Sequence, residues 1–310
     1  MDAFTVVRRV AQGRDGVVTL AQAQQAGLSA HEIHRLCRAG RWRVVARGSY
    51  LVDADRYDDV PRRARVRAAV TSFGRYAVAV LGTAAELHGI AGLARTDEIH
   101  LSLPGPAARP ARAAHPEVMV HQLVIEPGQV GQVYGIPATD PVRTVADLAL
   151  RTDRFTAVSL LDSAVNQQFM TADDMLVIPR LLGRRRGAVA ARLCLAEADG
   201  RAQSPLETRV RLRCVDGRVP PDDLQVEVRD DDGYLLGVGD LGWRARRVLA
   251  EADGRGPHAA PEAVFADRRR QNRLVNAGWT VLRFTWQDTL HPAYVPDTVR
   301  QALRTPPPPR

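Results

Sequence analysis

Apolar and polar positions alternate in three different ways along this chain. In the first stretch Val6, Val7 and Val10 form a short apolar face that ends at Asp15-Gly16, and Thr19 is placed to cap a second helix stopping at Gly27. A third helix follows at once. Ser29 and Glu32 have capping-box spacing, in which each side chain takes the other residue's free backbone N–H, and Gly40 is placed to end the helix. Its inward stripe is Ile33, Leu36 and Cys37. His31, His34, Arg35 and Arg38 then share the opposite face at i, i+3, i+4 and i+7. Arg41 to Val45, a turn at Arg47-Gly48 and Ser49 to Val52 predict a hairpin. Helices followed by a hairpin predict a winged helix-turn-helix over residues 1–55.

The middle, residues 56–200, reads as a mixed α/β region. Pro61 opens a helix carrying Val66, Ala69 and Val70 on one side, and Thr83 to Gly89 is a short helix with a glycine stop. Ile99 to Leu103 and Val118 to Ile125 read as strands. Asp140-Pro141 starts another helix, and helical stretches continue through Leu160, Leu181 and Leu193. Arg143 and Asp147, four residues apart, read as a helix-surface pair of a few tenths of a kcal/mol. His88, His100, His115 and His121 have no metal-ligand spacing. No repeat is present, and Arg184-Arg185-Arg186 reads as a solvated basic cluster.

In residues 201–305 Ser204 and Glu207 again have capping-box spacing, with Pro205 at the first helical position, so a helix to about Val215 is expected. Leu224 to Arg229 alternates, Asp230 to Gly233 turns the chain, and Tyr234 to Leu241 and Arg247 to Ala252 return as strands. A helix from about Pro261 to Ala277 stops at Gly278, and Trp279 to Thr285 makes a last strand. The order αβββαβ gives an α/β (α+β), multidomain chain whose acids stand at strand ends. Residues 306–310 form a Pro-rich tail.

Composition narrows the chemistry. With 310 residues and 45% hydrophobic content the chain can build two or three cores. No apolar run approaches the roughly 18 residues of a membrane span, and residues 1–10 lack a secretory pattern, so no membrane contact and a cytoplasmic location are expected. Three scattered cysteines argue against a disulfide framework or a Cys-rich zinc site. The net charge is +8, and all 43 basic residues are arginine. Without lysine, Schiff-base chemistry and a lysine-bearing phosphate loop are excluded. Eight arginines against two acids between Arg8 and Arg47 suit phosphate contacts. The candidate DNA-binding residues are His31, His34, Arg35 and Arg38 on the third helix, with Arg43 and Arg47 on the hairpin.

Gly16-Val17-Val18-Thr19, Ala26-Gly27-Leu28-Ser29, and Gly40-Arg41-Trp42 leading to Arg47-Gly48-Ser49-Tyr50 resemble the N-terminal domain of AbiEi-type antitoxins of bacterial type IV toxin–antitoxin systems. The resemblance implies an operator-binding module. Thr83-Ala84-Ala85 with Leu87, and Asp140, Arg143-Thr144 and Asp147-Leu148, resemble the middle region of the same proteins. That implies scaffolding or protein contact, and a partner toxin-like protein.

Asp240, Glu251 and Asp253 carry the candidate chemistry. Carboxylates held side by side repel one another unless a hard cation such as Mg2+ joins them. Five ordered blocks, at Ser204 to Arg209, Gly239 to Trp243, Glu251 to Gly254, Asp267 to Asn272 and Gly278 to Thr285, resemble the very-short-patch-repair (Vsr) endonuclease-like branch of the PD-(D/E)XK nuclease superfamily. The resemblance implies a restriction-endonuclease-like core in which Asp240 and Glu251 ligate Mg2+ and Glu207 approaches from the first helix. Asp253 stands where that superfamily carries lysine. His258 becomes the candidate for proton transfer, and Arg269 and Arg273 for phosphate binding. Gly239 before the strand acid, and small Ala252, predict loosened metal strands. The expected function is a DNA-binding protein with a Mg2+-dependent endonuclease domain. The alternative is a non-catalytic AbiEi-like repressor on a degenerate nuclease fold.

Overall fold

The structure, a computed structural model, describes residues 2–104, 116–254 and 261–305. The chain divides into two compact units, residues 1–148 and 149–310. Among the described residues no helix is long and apolar enough to cross a membrane.

The first unit opens with α1 (Ala3–Gln12), β1 (Val17–Thr19), α2 (Leu20–Gln25), α3 (Ala30–Arg38), β2 (Arg43–Ala46) and β3 (Ser49–Leu51). Both predicted caps form. Thr19 closes a reciprocal box with Gln22, and Ser29 does so with Glu32, whose carboxylate accepts the Ser29 N–H at 2.8 Å. The strands order as β1-β3-β2 with antiparallel pairing, so β1, a strand too short to alternate visibly, completes the wing sheet. Val7, Ala11, Ile33, Leu36 and Trp42 fill the core beneath it.

The unit continues through α4 (Arg62–Ser72), β4 (Val78–Ala79), α5 (Leu81–His88), β5 (Ile99–Ser102), β6 (Val118–His121), β7 (Val130–Val133), β8 (Ile136–Thr139) and α6 (Pro141–Ala149). Its five-stranded sheet orders as β6-β5-β4-β8-β7, with β5 parallel to β6 and β4 parallel to β8. Sequence reading supplied only β5 and β6, because β4 has two residues and β7 has no buried position. Buried Arg67 on α4 donates to Asp15 in the turn after α1 at 2.7 Å and to the Gly135 carbonyl at 3.1 Å, joining the winged helix to the β7–β8 turn. The Arg143–Asp147 pair is not on the surface. Both residues are buried, with Arg143 Nε donating to Asp147 at 2.7 Å and Nη1 to Gln129 at 2.5 Å. Spacing of i, i+4 says that two side chains meet, but not which way that face of the helix points.

The second unit begins with α7 (Arg154–Asn166), α8 (Ala172–Leu182) and α9 (Ala188–Glu197). It continues with α10 (Pro205–Asp216), β9 (Asp223–Arg229), β10 (Leu235–Trp243), β11 (Val248–Ala252), α11 (Pro261–Asn276), β12 (Thr280–Phe284), α12 (Trp286–Thr289) and α13 (Tyr294–Arg304). From α10 to β12 the order is the predicted αβββαβ. The sheet orders as β12-β11-β10-β9, parallel only between β11 and β12, the pair that α11 connects. Asp162 on α7, 1% exposed, accepts from Thr208 Oγ1 at 2.7 Å, Arg211 Nη2 at 2.9 Å and the Asp199 N–H at 2.6 Å. A buried carboxylate with that many donors is stable only while all of them stay in place, so it locks α7 onto α10.

Candidate functional site

Two charged surfaces come from the residues singled out in the sequence. On α3, Ile33 and Leu36 turn inward, which leaves His31, His34, Arg35 and Arg38 exposed. Arg43 and Arg47 are exposed on the β2–β3 hairpin. Among the described residues no acid pairs with Arg35, Arg38 or Arg47, and Arg43 lies 4.0 Å from Asp59. Glu32, the one acid on the helix, is engaged in capping. Hydrogen bonds from the Ser29 hydroxyl and then its N–H hold the Glu32 carboxyl below the usual range, and Arg35 and His31 add to the effect. Helix and hairpin therefore present exposed positive charge, of which Arg35, Arg38 and Arg47 have no ion pair among the described residues.

The second surface is the acid cluster. Leu241 pairs with Ala250, so the next step of that antiparallel register sets Asp240 opposite Glu251, with both on one face. On the other flank Asp240 stands opposite Gln225, which has φ +53°. Leu224 packs with the Leu206 and Val210 core while Val226 and Val228 pack with Leu274, so β9 exchanges faces at Gln225. Gln225 Nε2 donates to Glu207 at 3.0 Å, bringing the α10 carboxylate to the same place. Glu207 also accepts the Gln203 N–H at 2.8 Å; Ser204 caps α10, but the reciprocal half of the expected capping box is not made. Burial raises the Asp240 pKa from 3.8 to about 6, and Glu207 and Glu251 push it the same way, against the Ala252 N–H and Arg270.

Asp240, Glu251 and Glu207 thus converge as the strand ends suggested. Asp253 stays apart, half exposed and 3.8 Å from Arg283. His258 lies outside the described residues. Arg269 and Arg273 are exposed on α11, and the arginine that enters the cluster is their neighbour Arg270.

Glu251, 5% exposed, is held by two guanidinium groups. Arg283 donates to Oε2 from Nη2 at 3.0 Å and from Nε at 3.2 Å. Arg270 Nη1 sits 2.8 Å from Oε1, but its N–H points at the Val238 carbonyl 2.7 Å away, so that side is an ion pair without a directed hydrogen bond. Asp267 bridges Arg270 and Arg283 from α11. Neither arginine was singled out in the sequence. Arg283 pairs in register with Glu251 across parallel strands, which no local pattern reveals, and Arg270 differs from Arg269 only in helical phase. Gly239 does not loosen the strand as expected. A Cβ there would lie 2.8 Å from Leu249 Cδ2, and one at Gly237 would lie 3.0 Å from Arg270 Cγ, so both glycines make room for close packing. Among the described residues no group of three His, Cys, Asp or Glu is arranged to hold a metal ion.

Comparison with known proteins gives the lineage. The family model "Transcriptional regulator, AbiEi antitoxin" matches residues 6–52, and "AbiEi antitoxin C-terminal domain" matches residues 77–195. The uncharacterized proteins MT2308 and Rv2248 of two Mycobacterium tuberculosis strains are each 34% identical over 224 residues, covering 72% of this chain and 80% of the relative. The crystal structure of RV2827C from Mycobacterium tuberculosis is similar with a TM-score of 0.39 and 17% identity, over 63% of this chain and 80% of that one. With an N-terminal AbiEi regulator domain followed by a separate AbiEi C-terminal domain, this chain belongs to the AbiEi antitoxin family.

Proposed function

We propose that this protein is a transcriptional repressor of the antitoxin type, in which α3 lies in the major groove of operator DNA and the β2–β3 wing contacts the flanking backbone. The observation that carries this reading is the exposed basic face of His31, His34, Arg35 and Arg38, without an ion pair among the described residues and extended by Arg43 and Arg47. A helix-turn-helix presents its second helix to the groove, and arginines without acidic partners supply the phosphate contacts that set register and affinity. DNA is the partner this face fits, and a toxin-like protein is a further partner expected from the family resemblance.

On this reading the acid cluster is a nuclease-derived arrangement that no longer cuts. Mg2+ takes carboxylate oxygens that are free to ligate, together with several waters. Here Glu251 is paired with Arg270 and Arg283 on its two oxygens, Glu207 is engaged by Gln203 and Gln225, and one oxygen of Asp240 accepts the Ala252 N–H. As arranged, that donor set does not fit Mg2+. Supercoiled plasmid and linear duplex incubated with the protein and Mg2+ or Mn2+ should stay intact while a duplex selected from a random pool is bound. Cleavage lost in Asp240→Ala and Glu251→Ala would reinstate the endonuclease reading.

A further inference from the structure

Among the described residues of 149–310, a second set of arginines has no ion pair. Phe155, at the start of α7, has the guanidinium carbon of Arg213 4.6 Å and that of Arg209 4.8 Å from its ring centroid. Arg209 also lies 4.6 Å from the ring of Trp286 on α12. Both side chains are fixed at Nε: Arg209 donates to Thr289 Oγ1 at 3.2 Å, and Arg213 to the Thr289 carbonyl at 2.8 Å. Neighbouring Arg154 reaches the same phenyl ring but is neutralised by Glu197 and Asp216. Arg209 and Arg213 have no ion pair among the described residues, and their Nη groups donate to nothing there. Asp153 is close enough to act on Arg209, but its carboxylate is engaged by the Thr156 N–H and hydroxyl at the start of α7.

Two like charges one helical turn apart and half-buried repel one another. Burial and then Arg213 lower the pKa of Arg209, so the folded chain holds this pair against an electrostatic cost. Stacking on aromatic rings with Nε held leaves the Nη groups of each guanidinium without a partner among the described residues, and planar paired N–H groups are what receive an oxyanion. Trp286 is 48% exposed beside them, whereas Trp42 and Trp243 are buried and Trp279 is partly buried. Positive edges next to an open aromatic face match the demands of a phosphate joined to a base.

We propose that Arg209, Arg213 and Trp286 form a nucleoside-phosphate site, the two guanidinium edges receiving the phosphate and the indole stacking the base. This site is separate from α3 and does not depend on operator recognition. Its ligand is a free nucleotide or a single strand of nucleic acid, which share this chemistry.

The full chain can be titrated with thymidine 5′-monophosphate, a decathymidylate and thymidine while tryptophan fluorescence is followed. Both phosphate-bearing probes should quench the emission and thymidine should not. Tighter binding of the decamer identifies a strand as the source, and equal binding identifies a free nucleotide. Arg209→Gln with Arg213→Gln should weaken binding by about tenfold or more, and Trp286→Phe should remove the quench. If the glutamine pair does not fold, Arg209→Lys with Arg213→Lys keeps the charge, loses the planar edge and should still weaken binding. Arg209→Gln with Arg213→Gln should leave binding of a selected operator duplex unchanged, which separates this site from the operator-binding face. The proposal is overturned by no quench at millimolar probe, by equal binding in the glutamine or lysine pair, or by a hexaglutamate peptide binding where neither nucleotide probe does.

Discussion

The α3 face and the acid cluster are both dense in charge, yet they end in opposite electrostatic states. On α3 the only acid is drawn into its own cap, and Arg35 and Arg38 are exposed with no ion pair among the described residues. Beside Asp240 the Glu251 carboxylate is answered within the fold by Arg270 and Arg283, and those two by Asp267. A surface that binds an anion must keep its positive charge available, and a metal site must keep its carboxylates available. Arg35 and Arg38 have no ion pair among the described residues, whereas both oxygens of Glu251 face a guanidinium. Family resemblance alone would have weighted the two sites equally, and ion pairing distinguishes them.

The strongest way to break this contrast is to remove the clamp. Arg270→Met with Arg283→Met leaves Glu251 buried without a counter-charge, which should lower stability by about 3–5 kcal/mol near neutral pH. Urea unfolding at pH 7.5 measures the loss. The same variant should gain stabilisation from Mn2+ that the wild type lacks, and a wild type stabilised equally by Mn2+ would erase the contrast.

Asp240 gives a smaller effect of opposite sign. Its folded pKa of about 6 lies above 3.8, so the folded state binds the proton more tightly than the unfolded chain does. The contribution of Asp240 to stability should therefore fall as pH rises from about 4 to 6 and change no further above that window. Asp240→Asn removes the buried charge while keeping an oxygen for the Ala252 N–H. It should stabilise by about 2 kcal/mol at pH 7.5, with the gain vanishing near pH 4. A difference in melting temperature that does not vary across that range would show that Asp240 is not held in this way.

On the winged helix, Arg35→Ala with Arg38→Ala should weaken binding to a selected duplex by about thirtyfold, close to 2 kcal/mol, and reduce the slope of log affinity against log salt by about two. Equal slopes for wild type and variant would remove α3 from the interface. The smallest effect expected is at the wing, where Arg47→Ala alone should weaken binding by about threefold, with little dependence on the duplex sequence.

Much of the fold was legible because its signals are local. The Ser29–Glu32 box, the stripe of Ile33 and Leu36, and the turns around β9 and β10 act within a few residues, so α3 and the αβββαβ order could be read from the chain. Strands β4, β7 and β8 could not, since they are short and gain their pairing from distant partners. The site divides along the same line. Asp240 and Glu251 were found because strand-end acids separated by one hairpin are predictable neighbours. Arg283 was missed because its neighbour is set by a parallel pairing across α11, and Arg270 because helical phase decides which of several consecutive arginines turns inward.

What the sequence by itself determined is therefore the inventory: a basic winged helix, a nuclease-like order of elements, acids at strand ends and no lysine among the 43 basic residues. Only the tertiary structure decided which charges remain free. Charge on a side chain is a property of the residue, but neutralisation depends on distances of a few ångströms between elements that folding brings together. The same arginine chemistry is open on α3, closed over Glu251, and open again beside Trp286.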